Sequence, residues 1–340
     1  MEKQFRTAII GCGGIAQVHA AALATLPQVQ IVAVCDKIPE RAAALAEKTG
    51  AQAETDFDQV IAREDVQVVH LCVPHYLHAP MAIAAMRAGK YVLTEKPMAI
   101  SVEQAEQMNA VSDELGGRLG VIFQNRYNAA SQFVKKAIDE HRYGKLVALR
   151  GSVAWYRTAP YYTESGWRGA WDTEGGGVLI NQSIHTLDLV QWFGGRAVSV
   201  KGAVSTDSPL LEGVIEVEDS AHAQISFENG VSAIFYATNA HRANAPVEIE
   251  AVFEQGGLLI RGDALYEVSE QGLTEITPPS ENKLGEKGYW GNGHAVQIAD
   301  YYASLAAGQP PKITGHEAIE AVKLLRGIYA SSQSGQRVNL

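Results

Sequence analysis

Basic runs, paired cysteines and metal-ligand spacings are all missing from this 340-residue sequence. Lys and Arg number 28 against 38 Asp and Glu, which gives a net charge of −10, so no nucleic-acid partner is expected. The three cysteines form no C-x-x-C motif and indicate small buried side chains in a reducing, cytoplasmic location. His75-x-x-His78 comes with no H-E-x-x-H or cysteine spacing, so no metal site is predicted.

Charged side chains are also missing from residues 7–35, which raises the question of a membrane span or a signal peptide. A span of about 20 apolar residues does not ordinarily tolerate this much Gly, Gln, His and Pro. The apolar region of a signal peptide would be interrupted by Gly11, Gly13 and Gly14. The stretch is therefore interpreted as part of a globular fold, and no membrane partner is expected.

The same stretch has the pattern strand, turn, helix, strand. An apolar run at 8–10 precedes a G-x-G-x-x-A turn at 11–16, and a β-rich run at 29–35 ends on Asp36. Between them, apolar residues recur at spacings of three and four, which predicts one buried helical face made of Ile15, Val18, Ala22 and Leu26. This is a βαβ unit with the dinucleotide fingerprint in its first turn.

Each part of the fingerprint has a physical role. Gly11 can adopt the backbone angles of a tight turn, Gly13 has no Cβ to block a pyrophosphate, and Ala16 lets helix and strand pack closely. The helix N-terminus faces the phosphates, and Asp36 can accept from ribose hydroxyls. We predict NAD as the cofactor, and Lys37 leaves NADP use open because it could accept a 2′-phosphate. The candidate ligands here are Gly11, Gly13, Gly14, Ile15, Ala16, Asp36 and Lys37.

Alternating strands and helices continue the doubly wound pattern and predict an α/β Rossmann domain over residues 1–124. Strands are predicted at 66–73, 91–94 and 119–123, and helices at 39–49, 79–88 and 101–115, the last capped by Ser101. Ligands in such sheets bind at the carboxyl ends of the strands. That rim supplies the candidate cofactor ligands Val73, Pro74, His78, Glu95, Lys96 and Gln124, and the candidate substrate ligand Arg126.

The pattern changes after residue 124 and predicts an α+β domain over 125–340. Residues 197–261 are β-rich with a hairpin signal at Asn229-Gly230 and no crossover helices, so a large, mostly antiparallel open sheet is expected. Helices predicted near 295–307 and 317–332 either complete this domain or pack back on the first one.

Two segments of this domain are candidate substrate-binding elements. The 19-residue stretch 156–174 is rich in aromatic residues, and aromatic faces suit a sugar ring; a merely structural aromatic cluster is the alternative. A glycine run at 175–177 then leads into a predicted helix to about Phe193, on which an amide, an imidazole and a carboxylate share one face. The candidate substrate ligands are Tyr156, Tyr161, Asn181, His185 and Asp188.

The motifs GCGGIA, CVPHYLH, AGKYVLTEKPMA and GGGVLINQSIHTLD resemble those of the glucose–fructose oxidoreductase/inositol dehydrogenase (Gfo/Idh/MocA) family over essentially the whole chain. The resemblance implies that Lys96 and His185 are the catalytic residues and that Trp167 and Arg168 reach the cofactor. It also implies a homodimer or homotetramer formed through the C-terminal sheet. The family commonly has Asp where this chain has Asn181, which leaves the acid–base assignment open.

These observations together predict an NAD(P)-dependent dehydrogenase that oxidises a ring secondary hydroxyl of a sugar, cyclitol or nucleotide sugar. The resemblance favours carbon 3 of a pyranoside or nucleotide sugar. Two other classes stay open: a redox-neutral lyase or glycosidase that uses bound NAD transiently, and a non-catalytic sugar sensor. Retention of both Lys96 and His185 argues against a sensor, which needs no acid–base pair.

Overall fold

The first of two structural units is built on a parallel sheet. The computed structural model describes residues 5–279 and 293–340. The first unit takes in the described residues up to Phe123 together with Gly293–Ile319, and the second takes in those from Gln124 onward and Glu320–Leu340. The segment Gly293–Ile319 thus belongs to the first unit, although it lies within the range 125–340 that the sequence assigns to the second domain.

The strands of the first unit are β1 (Phe5–Ile10), β2 (Val29–Cys35), β3 (Gln52–Glu54), β4 (Val68–Leu71), β5 (Tyr91–Thr94) and β6 (Leu119–Val121). Its helices are α1 (Gly14–Ala24), α2 (Pro39–Thr49), α3 (Phe57–Ala62), α4 (His75–Arg87), α5 (Val102–Glu114) and α9 (His294–Ala306). All six strands pair in parallel in the order β3-β2-β1-β4-β5-β6. The order reverses between β1 and β4, so the predicted doubly wound Rossmann fold is confirmed.

Local sequence explains several helix boundaries in this unit. Ser101 caps α5 by accepting the backbone N–H of Gln104 at 3.2 Å, as predicted. Pro39 opens α2 and Gly50 closes it with a φ of 71°, a left-handed conformation that glycine adopts at little cost. The expected helix over 39–49 is confirmed.

The buried face of α1 differs from the prediction. Ala16, His19 and Leu23 are buried there, whereas Val18 is 37% exposed and Leu26 lies beyond the end of the helix. Ala22 is buried as predicted, and Ile15 and Leu26 pack against the core, so the prediction was wrong for Val18 and did not include His19. His19 is instead completely buried, because its two ring nitrogens form hydrogen bonds with Glu95 and His70.

The helix α4 begins one turn earlier than predicted, at His75 instead of Ala79, and Pro80 lies inside it. The turn starts after Pro74, whose carbonyl oxygen accepts the Leu77 N–H at 3.0 Å. A proline is best tolerated in the first turn of a helix, where its missing N–H costs nothing. Here it removes one internal donor from a helix that buried side chains still stabilise.

In its described residues, the second unit contains a nine-stranded sheet and four helical segments. Its strands are β7 (Leu146–Ala154), β8 (Ala197–Ser205), β9 (Ser220–Phe227), β10 (Ser232–Thr238), β11 (Glu248–Phe253), β12 (Gly256–Arg261), β13 (Ala264–Ser269), β14 (Gly272–Glu275) and β15 (Val338–Asn339). The helical segments are a 3₁₀ turn (Gln124–Tyr127), α6 (Ala129–Asp139), α7 (Ala159–Thr163) and α8 (Ile184–Gly194). A further helix, α10 (Gly315–Ser334), belongs partly to each unit.

The nine strands lie in the order β14-β13-β12-β11-β7-β10-β9-β8-β15. Only β7 and β10 pair in parallel, so the predicted mostly antiparallel sheet is confirmed. The hairpin expected at Asn229-Gly230 joins β9 to β10, with Gly230 at a φ of 87°. One face of the sheet carries α8, because a Cβ on Gly151 of β7 would stand only 2.8 Å from the Val190 side chain.

Two details of this unit correct the sequence prediction. The stretch 156–174 is not wholly a loop, since α7 lies within it. The helix after the glycine run begins only at Ile184, and residues 178–182 are turns. Asn181 therefore precedes the helix and does not share its face with His185 and Asp188. No helix in the described part of the chain is long and apolar enough to cross a membrane.

Candidate active site

The turn between β1 and α1 has the shape of a phosphate cradle. Gly11 has a φ of 85°, and a Cβ there would stand 2.4 Å from the Cys72 carbonyl oxygen, so only glycine fits. A Cβ on Gly13 or Gly14 would have no described atom within 4 Å. Gly13 is also the N-cap of α1 and provides no side-chain cap. The first N–H groups of α1 thus face a concave turn that suits a pyrophosphate.

The remaining fingerprint residues lie around the same turn, and their contacts with a cofactor stay predictions. Ala16 is completely buried between helix and sheet, and Ile15 is partly exposed at the start of α1. The Asp36 carboxylate accepts the Cys12 N–H at 2.8 Å and the Ile38 N–H at 2.9 Å. These bonds fix the carboxylate beside the glycine turn, and Lys37 next to it is exposed.

The strand-end residues of β4 and β5 are joined through one histidine. The His78 ring nitrogens lie 2.6 Å from the Pro97 carbonyl oxygen and 2.9 Å from that of Val73. Both partners are carbonyl oxygens, which only accept, whereas burial lowers the pKa of His78 and favours a neutral ring that donates to one of them at a time. Val73 and Pro74 are partly exposed at this edge, while their contact with a cofactor stays a prediction.

Glu95 and Lys96 follow β5 directly. Glu95 is buried, and burial would raise its pKa, but hydrogen bonds from His19 at 3.0 Å and His294 at 3.2 Å hold its pKa well below the usual range. The Lys96 backbone N–H lies 3.3 Å from the second carboxylate oxygen, and the Lys96 residue is partly exposed. The sheet edge thus combines a fixed anion and a lysine directly after one strand.

In the second unit, His185 lies in the first turn of α8. Its Nε2 is 3.2 Å from the amide nitrogen of Gln124, so the amide donates and Nε2 accepts. Gln124 is buried and His185 is partly exposed. Two residues predicted separately, one for the cofactor and one for catalysis, are therefore neighbours.

Arg126 and Asp188, both predicted to bind substrate, pair with each other. The guanidinium Nε and Nη2 donate to the two carboxylate oxygens at 2.8 and 2.7 Å. Both side chains are buried, with 4% and 1% of their surface exposed. Such a bidentate pair fixes the 3₁₀ turn against α8, and a contact of either side chain with substrate stays a prediction.

The aromatic segment forms a polar cluster around Glu174. Asn181 donates from its amide nitrogen to Glu174 Oε1 at 2.5 Å and to the Tyr161 hydroxyl at 3.4 Å. The Arg168 guanidinium lies 4.5 Å from the ring centroids of Trp167 and Tyr161. The structure thus brings together Tyr161, Trp167, Arg168 and Asn181. Tyr156 instead follows β7 and pairs through its backbone with Ala240 in an isolated antiparallel β-bridge.

Glu174 is a functional candidate that sequence reasoning missed. It is completely buried, it accepts the Gly169 N–H at 2.6 Å, and burial raises its pKa to about 7. The available signal was an acid placed between an aromatic-rich segment and a glycine run. An acid that titrates near neutrality beside candidate ligands is typical of functional sites.

We expect Glu174 to make the protein less stable as the pH rises from about 5 to 8. The unfolded chain releases the proton near the ordinary glutamate pKa of 4.5, whereas the folded protein keeps it to about 7, so unfolding becomes more favourable across that window. Glu174→Gln should abolish this part of the pH dependence, which is on the order of 3 kcal/mol. Urea unfolding at several pH values measures it, with the exposed Glu164→Gln as control. Parallel pH profiles for wild type and Glu174→Gln would contradict the assignment.

The fold and the glycine turn define a Rossmann-type nucleotide-binding oxidoreductase, and comparisons specify the class. A model described as "Oxidoreductase family, NAD-binding Rossmann fold" matches residues 5–123, and one for the GFO/IDH/MocA C-terminal domain matches 131–259. The chain belongs to the Gfo/Idh/MocA family of NAD-binding oxidoreductases.

Characterised relatives agree with this membership. Levoglucosan dehydrogenase of Pseudarthrobacter phenanthrenivorans is 26% identical, with 88% of this chain and 89% of the relative covered. D-glucoside 3-dehydrogenase of Escherichia coli is 31% identical over 66% of this chain and 67% of its own. The crystal structure of the WlbA dehydrogenase from Bordetella pertussis, in complex with NADH and UDP-GlcNAcA, has a TM-score of 0.86 and 30% identity over 99% of both chains.

Proposed function

We propose that this protein oxidises a ring secondary hydroxyl of a sugar, cyclitol or nucleotide sugar and transfers the hydride to NAD⁺. The observation that carries the proposal is the first unit's sheet edge, where a phosphate cradle follows β1, a ribose-type carboxylate follows β2 and the Glu95–Lys96 turn follows β5. When bound, NAD supplies the hydride acceptor. Gly13, Gly14 and the N-terminus of α1 would hold its pyrophosphate, and Asp36 its adenosine ribose.

The protein's own contribution to the chemistry is proton transfer and charge stabilisation. We assign these roles to Lys96 and His185: one accepts the hydroxyl proton, and the Lys96 ammonium stabilises the alkoxide as it develops. The Gln124 amide donates to His185 Nε2, so a neutral His185 carries its proton on Nδ1 and Gln124 fixes the ring orientation.

The names of three relatives support a sugar ring as the substrate, and one of these names supports carbon 3 as the reacting position. One is named a D-glucoside 3-dehydrogenase, another a levoglucosan dehydrogenase, and the bacterial WlbA structure holds UDP-GlcNAcA. The rings of Tyr161 and Trp167 offer aromatic faces for a sugar ring. Arg168, which lies beside them, offers a cation for a carboxylate or phosphate.

The test is a screen of sugars, cyclitols and nucleotide sugars with NAD⁺, followed by absorbance of the NADH formed. Net NADH formation supports a dehydrogenase. Product formation without net NADH supports the lyase or glycosidase alternative, and ligand binding without turnover supports a sensor. Product analysis of the oxidised sugar then decides the carbon.

We expect NAD⁺ to be preferred over NADP⁺ by tenfold or more in kcat/KM. The Asp36 carboxylate is held by two backbone N–H groups, and it would repel a 2′-phosphate by up to a few kcal/mol. Steady-state kinetics with both cofactors measures the preference, and Asp36→Ala should narrow it. Comparable kcat/KM values in the wild type would show that Lys37 or another cation offsets the repulsion.

We also propose that a second copy of the chain covers the open face of the nine-stranded sheet. Ile234 and Tyr236 of β10 and Val252 of β11 are 55%, 46% and 39% exposed on that face, a pattern that monomers generally avoid. A homodimer or homotetramer follows, and light scattering measures its mass. A monomer at micromolar concentration would contradict the proposal.

The three buried free cysteines fit a cytoplasmic location.

A further inference from the structure

Five side chains form a continuous line of hydrogen bonds inside the first unit. Glu95 Oε1 lies 3.0 Å from His19 Nε2, and His19 Nδ1 lies 2.7 Å from His70 Nδ1. His70 Nε2 lies 2.9 Å from the Tyr302 hydroxyl, which is 2.7 Å from Thr7 Oγ1. We call this line the relay. It links five elements: the end of β5, then α1, β4, α9 and β1.

The direction of every bond in the relay follows from the charge of its first member. Glu95 is a carboxylate and can only accept, so His19 Nε2 must carry a proton. Burial lowers the pKa of His19, and that of His70 further, so both rings are neutral and have one N–H each. His19 Nδ1 is then an acceptor, and His70 must donate from Nδ1.

The second half of the relay is equally determined. With its proton on Nδ1, His70 accepts at Nε2 from the Tyr302 hydroxyl. Burial raises the pKa of Tyr302, so it keeps that proton. Tyr302 in turn accepts from the Thr7 hydroxyl. All four donors therefore point toward Glu95, and each bond polarises the next.

The relay is completely buried up to Glu95 itself, because Thr7, His19, His70 and Tyr302 each have no exposed surface. Apolar side chains at these positions would fill a Rossmann core without the cost of desolvating polar groups. What polar side chains add is a fixed acceptor at the end of β5. The other oxygen of that acceptor lies 3.3 Å from the Lys96 backbone N–H.

We propose that His19, His70 and Tyr302 are positioning residues for the Glu95–Lys96 turn, which they hold through a one-way relay of hydrogen-bond donors. The effect on turnover rests on the proposed role of Lys96, whereas the relay itself does not. A misplacement of about 1 Å at a reacting group can cost about 10²-fold in rate. The relay therefore determines kcat without touching substrate or cofactor.

A bound cation would require the opposite arrangement of protons. Ligand atoms of His19, Glu95 and His294 lie within 4.8 Å of one another, a spacing that a divalent ion could use. The ion would take the lone pair of His19 Nε2, so that His19 would donate from Nδ1 to His70. The protonated nitrogen of His19 thus separates the two possibilities.

The first test is ¹⁵N NMR of histidine-labelled protein at pH 7, with signals assigned through His19→Gln and His70→Gln. We expect His19 to carry its proton on Nε2 and His70 to carry its proton on Nδ1. A proton on His19 Nδ1, with or without one on Nε2, would overturn the proposal. This readout requires no turnover, so it remains decisive even if no sugar is oxidised.

The second test compares variants by kcat, by NADH affinity and by thermal stability. His19→Gln keeps an amide donor near the position of Nε2 and should retain kcat within about tenfold, whereas His19→Leu keeps bulk without a donor and should lose about 10²-fold. Tyr302→Phe removes one oxygen and should lower kcat about tenfold while Kd for NADH stays within threefold. Equal kcat for the folded Gln and Leu variants, or a wild-type kcat for Tyr302→Phe, would show that the relay only fills the core.

Discussion

Replacing Lys96 by Met is expected to lower kcat by 10²-fold or more while Kd for NADH changes by less than about tenfold. Methionine keeps the length and most of the volume of lysine and removes its charge. The developing alkoxide then loses its cationic partner, and a single stabiliser of this kind is typically worth 10²–10³ in rate.

The fold should survive this substitution. Glu95 accepts from His19, His294 and the backbone N–H of Lys96, and all three donors remain in Lys96→Met. Thermal unfolding checks this directly. Lys136→Met, whose wild-type side chain is 72% exposed, is the matched control and should keep wild-type kcat. If the Lys96 variant loses NADH affinity and keeps its kcat, Lys96 is a cofactor ligand and not the group that stabilises the alkoxide.

The first unit could be predicted closely from sequence because its signals are local. Each βαβ unit is encoded by a stretch of about 30 residues. The glycine turn, the Ser101 cap and the ends of the helix at Pro39 and Gly50 each depend on residues only a few positions apart. Parallel strands must then place their carboxyl ends along one edge. The rim of candidate ligands follows from that geometry without any knowledge of side-chain partners.

Partners distant in sequence were not predictable in the same way. His19 meets His70 across 51 positions, and His70 meets Tyr302 across 232. Neither pairing leaves a local pattern, so the predicted buried face of α1 did not include His19. A histidine within the apolar strand 68–71 was the one available hint, because a buried imidazole needs a partner.

Asn181 shows the same limit in the second unit. The spacing to His185 suggested a shared helical face, but the turns before Ile184 direct the amide to Glu174 instead. Asn181 therefore has a carboxylate partner in this chain. A carboxylate introduced at position 181 would face Glu174, so the two acids would compete for one proton.

Arg126→Met is expected to lower the free energy of unfolding by about 3–5 kcal/mol, which is the typical cost of leaving a buried charge without its partner. Asp188 is 1% exposed and accepts two bonds from this guanidinium. Urea unfolding at pH 7 measures the loss. A change below about 1 kcal/mol would mean that Asp188 finds another donor or takes up a proton.

The double variant Arg126→Met/Asp188→Val separates stability from substrate binding. Replacing a buried ion pair by apolar side chains of similar total volume is often neutral or stabilising, so unfolding should return close to the wild-type value. We expect this folded double variant to keep KM for the sugar within about threefold, because the two charges act on each other between the 3₁₀ turn and α8. A KM raised tenfold or more, with stability restored, would instead support direct contact of Arg126 or Asp188 with the substrate, and a carboxylate-bearing substrate would then be the first to test against Arg126.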